Sequence, residues 1–215
     1  MNLWILSSHW QARAALIFAI ACFYAGCVLL NNTLLFSWAQ DGSTYRYWVY
    51  LPGGFRLVLI MLFGWRGLVG VTIAVAGISY SDLVPEITSI VDAVIAAIVR
   101  TTSIWLAIDI YGKITGVRSP WENLTWIHVP FLALFVTVIT NLAVTFYFVL
   151  LGIEPIESLG RNVSTWVIGD TAGTIIVLAI LIKLRQGYLE WKSAQRGASE
   201  QNRKSNRQSD TRSVD

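Results

Sequence analysis

Charge is what this sequence has least of. Lys, Arg, Asp and Glu make up 13% of its 215 residues, while 55% are hydrophobic. A water-soluble domain of that composition would expose too much apolar surface, so soluble globular classes are excluded and the chain reads as an integral membrane protein. Cysteine is scarce too. Cys22 and Cys27 both lie inside one apolar run, where thiols act as small apolar residues, which excludes a disulfide framework and a thiolate metal site. The two histidines, His9 and His128, fall near predicted membrane interfaces and read as facing headgroups rather than ligating haem or a metal. A nucleotide-binding loop, a zinc motif and a nucleophile elbow are all missing, so no enzyme activity, no cofactor and no nucleic acid partner is expected. No internal repeat and no soluble domain is evident. The triplets Asn123-Leu-Thr125 and Asn162-Val-Ser164 match glycosylation acceptors, a pattern common by chance.

Long apolar runs are what the chain does have. About 20 apolar residues cross a bilayer core as a helix. Six segments qualify, at 13–36, 47–64, 67–84, 87–111, 126–151 and 163–184. The predicted fold is therefore all-α, a polytopic membrane bundle of about six transmembrane helices. The first run lacks a small-x-small cleavage site and is followed by Asn31 and Asn32, so it reads as a retained helix rather than a signal peptide. Only "GWRG" separates the second and third segments, which predicts a tight helical hairpin.

Residues 1–12 read as a cytoplasmic N-terminus and 13–185 as the transmembrane domain. Residues 186–215 read as a short amphipathic continuation and then a basic, polar, disordered cytoplasmic tail. Orientation follows from Lys and Arg near span ends. Lys183, Arg185, Lys192, Arg196, Arg203, Lys204, Arg207 and Arg212 place the C-terminus in the cytoplasm, and an even helix count places the N-terminus there too. Arg66, Lys113 and Arg118 then share the cytoplasmic side, while Asp41, Asp82, Glu86, Glu154 and Glu157 lie opposite, with only Arg46 and Arg161 for positive charge. Trp38, Tyr45, Tyr47, Trp48, Trp121, Trp126 and Trp166 fall near span ends as an aromatic belt. The expected location is the inner membrane, multi-pass.

Ionisable residues inside a span cost a few kcal/mol or more unless paired or hydrated. Four stand out: Arg56, Asp92, Arg100 and Asp170. At about 1.5 Å of rise per residue, Arg56, Asp92 and Asp170 lie roughly 8–14 Å below the outer surface on three helices, with Arg100 two turns beneath Asp92. Asn141, Thr137, Thr140, Thr101 and Thr102 supply hydrogen-bonding groups at neighbouring positions. Two readings stay open for this cluster: an ion-pair network that fixes helix register, or a ligand site.

Pro52, Gly53 and Gly54 precede Arg56. One reading is a helix that restarts after the glycines, with Arg56 in its first turn and open N–H groups suited to an anion or to Asp170. The other is a proline kink near the outer interface. In the last span, Gly169 and Gly173 form a small-xxx-small face beside Asp170, which lets another helix approach closely.

Two of these stretches together carry a family resemblance. "LPGGFRLVLIMLFGWRGLVGV" and "WVIGDTAGTIIVLAILI" resemble the proline-glycine helix with its G-x-R turn and the later W-x-x-G-D-x-x-G helix of bacterial membrane-associated sensor domains of the first MASE type. The matching positions are Pro52, Gly54, Gly64 and Arg66, then Trp166, Gly169, Asp170 and Gly173, and the resemblance spans about residues 45 to 185. It implies a sensor-like module that perceives a small ligand or a membrane signal. Its expected partners are the lipid bilayer, a histidine kinase or cyclic-di-guanylate enzyme acting in trans, and a second copy of the chain. Two departures are fewer helices than is typical and a tail of about 30 residues, too short for a folded output domain. A standalone module is thus expected. The alternative is a small transporter, or a membrane subunit of one, that binds an anionic or carboxylate solute at a broken helix.

Overall fold

The structure is a computed structural model that describes residues 3–35, 48–81, 89–116, 126–153 and 155–212. Among the described residues there are helices and turns and no strands. The chain belongs to the fold class that its composition predicts, an all-helical polytopic membrane bundle. The helices are α1 (Leu3–Leu30), α2 (Leu51–Phe63), α3 (Trp65–Tyr80), α4 (Ile90–Thr115), α5 (His128–Leu150) and α6 (Leu159–Arg212), and a π-helical turn, Asn31–Leu35, follows α1. Their outer faces carry Phe18, Ile73, Ile98, Phe131 and Phe146, all exposed. Helices that are apolar on both inner and outer faces belong in lipid. Asp41, Arg46, Asp82, Glu86, Arg118 and Glu154, on which much of the expected orientation rests, lie outside the described residues. So do Trp38, Tyr45, Tyr47 and Trp121 of the expected aromatic belt, and the triplet at 123–125.

The six helices follow the six apolar segments in order, but they are not six equal spans. Four are long and apolar enough to cross a membrane, and α2 and α3 are not, with 13 and 16 residues. Those lengths correspond to about 20 and 24 Å, against a hydrocarbon core of about 30 Å. The expected hairpin is present and tighter than "GWRG" suggests. Gly64 alone makes the turn, with φ of 57°, a conformation open to glycine and costly for side chains with a Cβ. Trp65, Arg66 and Gly67 are already in α3.

The chain divides into two compact units, Met1–Leu178 and Ala179–Asp215. In the first, α3 packs against α1, α2 and α4, and α4 packs against α5. Small residues set the distances between these helices. Ala93 and Ala96 of α4 sit in one apolar cluster with Val144 and Phe148 of α5, and the ring of Trp166 meets Phe148 edge-on, with centroids 6.2 Å apart. Hydroxyl pairs link the helices: Thr72 to Thr101 at 2.7 Å between α3 and α4, and Thr137 to Thr171 at 2.6 Å between α5 and α6.

The second unit is the C-terminal part of α6. Tyr188 and Trp191 pack with ring centroids 6.1 Å apart, and the Lys192 ammonium lies 5.9 Å from the Tyr188 ring. Helix continues to Arg212, beyond the short continuation expected after residue 186. The physical reason is in the composition. Glu, Lys, Ala, Gln and Arg recur there, and all are strong helix formers.

Candidate functional site

The site begins where α2 begins. Pro52 stands in the first turn, where a missing N–H costs nothing and a fixed φ suits the helix. It therefore neither breaks nor kinks the span, and the expected restart after Gly54 does not occur. The amides of that turn are already taken. Leu51 N–H donates to Asn31 Oδ1 at 3.1 Å, Tyr50 N–H donates to the Gly169 carbonyl at 3.0 Å, and Gly53 N–H donates to the Tyr50 carbonyl at 3.1 Å. The open helix end proposed to receive an anion is thus closed by the protein itself. Asn31 is completely buried and acts as the side-chain cap of a helix that starts 20 residues later. Asn31→Ala is expected to cost about 1 kcal/mol, read as a lower midpoint in denaturant titration of the detergent-solubilised chain.

The glycines on both sides of this junction are there for close approach. A Cβ on Gly53 would come within 2.7 Å of Asp170 Oδ1, and one on Gly54 within 2.7 Å of Val177 Cβ. On the facing helix, a Cβ on Gly173 would overlap the Tyr50 carbonyl. The proline-glycine start of α2 and the Gly169/Gly173 face of α6 are therefore two halves of one backbone-to-backbone contact.

That contact delivers the charges. Arg56, on the second turn of α2, is 2% exposed and Asp170 of α6 is 6% exposed. Arg56 Nη2 donates to Asp170 Oδ2 at 3.1 Å, and Asn141 Nδ2 of α5 donates to the same oxygen at 3.1 Å. Three helices thus converge on one carboxylate. Arg100 of α4 lies within electrostatic range of Arg56 and Asp170, and its guanidinium carbon sits 5.8 Å from the Trp166 ring centroid, a cation–π geometry. Trp166 is one turn before Asp170 on α6. Pro52, Gly54, Arg56, Arg100, Asn141, Trp166, Gly169, Asp170 and Gly173 accordingly occupy one neighbourhood.

Asp92 does not join it. The described part of α4 starts at Ile90, so Asp92 is in the first turn and makes no hydrogen bond or ion pair among the described residues. A carboxylate there faces the positive end of its own helix, which stabilises it without an arginine. A sequence signal marked this: Ser89 followed by Asp92 has the capping-box spacing, and Ser89 Oγ accepts from Val91 N–H at 3.2 Å. Thr101 and Thr102 also point their bonds elsewhere, to the carbonyls of Ala97 and Ile98. His128 is not merely facing headgroups; its Nδ1 lies 3.2 Å from the Tyr111 hydroxyl.

The cluster is incompletely satisfied. Arg56 Nε and Nη1 are buried and have no hydrogen-bond partner among the described residues, and neither do the hydroxyls of Thr140 and Thr174. Arg66 Nε and the hydroxyls of Thr145 and Tyr147 share this condition, but among the described residues Arg56 alone has two such donors on one charged group; most buried polar atoms in folded proteins are paired.

A model of the MASE1 family matches residues 10–202, about nine-tenths of the chain. The chain belongs to the MASE1 family. MASE1 is a membrane-associated sensor domain, and such domains are membrane-embedded and typically sit in signalling proteins. No curated protein and no solved structure matches this MASE1 chain. The match runs from α1 through most of α6, so it includes both glycine-bearing stretches and the Asn141 helix between them. Asn31 and Tyr50 of this MASE1 chain carry no signal in the sequence: one asparagine after an apolar run does not reveal which amide it will reach.

Proposed function

We propose that the chain is a non-enzymatic sensor module of the inner membrane. It perceives a small ligand or a membrane signal at the Arg56–Asp170–Asn141 cluster and passes it through α6 to a signalling partner, a histidine kinase or a cyclic-di-guanylate enzyme. The observation that supports this reading is the place of Asp170. It accepts from α2 and α5, and the helix that carries it continues to Arg212. A change in either hydrogen bond acts on α6 directly, because Gly169 and Gly173 leave no side chain to absorb a shift at the α2 contact. A packed junction of this kind has discrete arrangements rather than a continuous range, which is the property a relay needs.

The test is truncation of residues 190–215 in the native cell. Cyclic-di-GMP concentration and kinase-dependent reporter output are read beside the amount of chain in the membrane. The expected result is loss of the chain-dependent output with membrane levels unchanged. Output equal to that of the intact chain would sink the relay.

A further inference from the structure

Resting on that sensor reading, we infer that the ligand is a carboxylate monoanion, held between the free guanidinium edges of Arg56 and Arg100. Among the described residues Arg56 makes one of the five hydrogen bonds that its fork can donate, and that one goes to Asp170. Its Nε and Nη1 are buried and have no partner among the described residues. Burying a guanidinium to 2% exposure with those groups unpaired is costly, so the position selects an acceptor.

Water would satisfy the hydrogen bonds but not the charge. Among the described residues, two arginines, one carboxylate, Asp170, and the phenols of Tyr24 and Tyr50 stand within electrostatic range of one another. Asp170 is committed to Arg56 and Asn141 through Oδ2, and its Oδ1 is covered by Gly53. Arg100 makes no side-chain hydrogen bond and no ion pair among the described residues, and its guanidinium lies against the Trp166 ring. Among the described residues one positive charge is left over, on arginines of the membrane-spanning segments, with Arg56 buried and Arg100 partly buried. An acceptor with a single negative charge and oxygens for guanidinium donors closes both deficits, and a carboxylate is that group. The aromatic floor under Arg100 and the apolar neighbours Val99 and Phe148 leave the rest of the ligand free to be apolar.

Carboxylates reach such a site from two sources, water and the bilayer, and the experiment separates them. Purified full-length chain in lipid nanodiscs is titrated with sodium acetate and, separately, with laurate. Sodium chloride at equal ionic strength and methyl laurate serve as controls. A carboxylate that binds the folded state at roughly a hundred-fold above its Kd raises the unfolding midpoint by about 5 °C. Acetate acting alone, or with laurate, places the source in water; laurate acting alone places it in the bilayer; methyl laurate and chloride have no effect. Arg100→Gln leaves the Arg56–Asp170–Asn141 bonds intact and weakens carboxylate binding at least ten-fold, and Arg100→Lys recovers part of it. No shift with either carboxylate, an equal shift with methyl laurate, or unchanged affinity in Arg100→Gln overturns the inference. If the truncation of residues 190–215 still removes signalling output in that case, the relay stands and only its carboxylate ligand is refuted.

Discussion

Arg56→Gln lowers the free energy of unfolding by about 3–5 kcal/mol, and Asp170→Asn lowers it by more. The first leaves a buried carboxylate, but Asn141 still donates to it and Arg100 is within range to compensate. The second leaves two guanidiniums with no acid between them. Removing both partners is milder than the sum of the parts, because an unpaired buried charge costs more than a missing pair. In a double-substitution cycle the coupling is expected at roughly 1–3 kcal/mol and favourable. The measurement is chemical unfolding in a fixed detergent, followed by helical circular dichroism. Additive losses, or Asp170→Asn milder than Arg56→Gln, would mean that the pair is not what holds α2 to α6.

Gly173→Ala is the second large effect, from a single methyl group. The added Cβ would occupy the space of the Tyr50 carbonyl, and backbone cannot swing aside as a side-chain tip can. The helices must separate, at a cost of roughly 3 kcal/mol. The Tyr50–Gly169 hydrogen bond lengthens with them, and so does the Arg56–Asp170 bond a turn away. Gly77→Ala in α3 is the control. Nothing lies within 4 Å of its Cβ, so the same substitution is neutral or slightly stabilising by the better helix propensity of alanine. Thermal unfolding of the two variants side by side checks the contrast. Equal midpoints would show that the α2–α6 junction tolerates separation.

The membrane class, the all-helical fold and the order of the apolar helices were legible in the sequence because each is a local property. Scarce charge and runs of about 20 apolar residues leave few other folds. The Arg56–Asp170 pairing was legible for a related reason. Two opposite charges at similar depth in lipid have few partners, and glycines flank both. Asp92 is the exception because α4 starts at Ile90 and not at 87, which puts Asp92 in a first turn, where a carboxylate needs no arginine. The tail is helical further than its polarity suggests, because Glu, Lys, Ala, Gln and Arg are polar or small and also good helix formers.

By itself, then, the sequence determined that this protein lives in a membrane, in which order its helices come, and which charges had to find one another there. Tertiary structure alone decided how they meet. The start of α2 is capped by an asparagine from the π-helical turn after α1 and by a carbonyl from α6, so the amides that the proline-glycine motif offers are taken. Under the carboxylate proposal, the anion is held instead by the guanidiniums of Arg56 and Arg100. The reason is physical: a hydrogen bond between residues 20 or 114 positions apart depends on which helices pack, and periodicity along one helix carries no record of its neighbours.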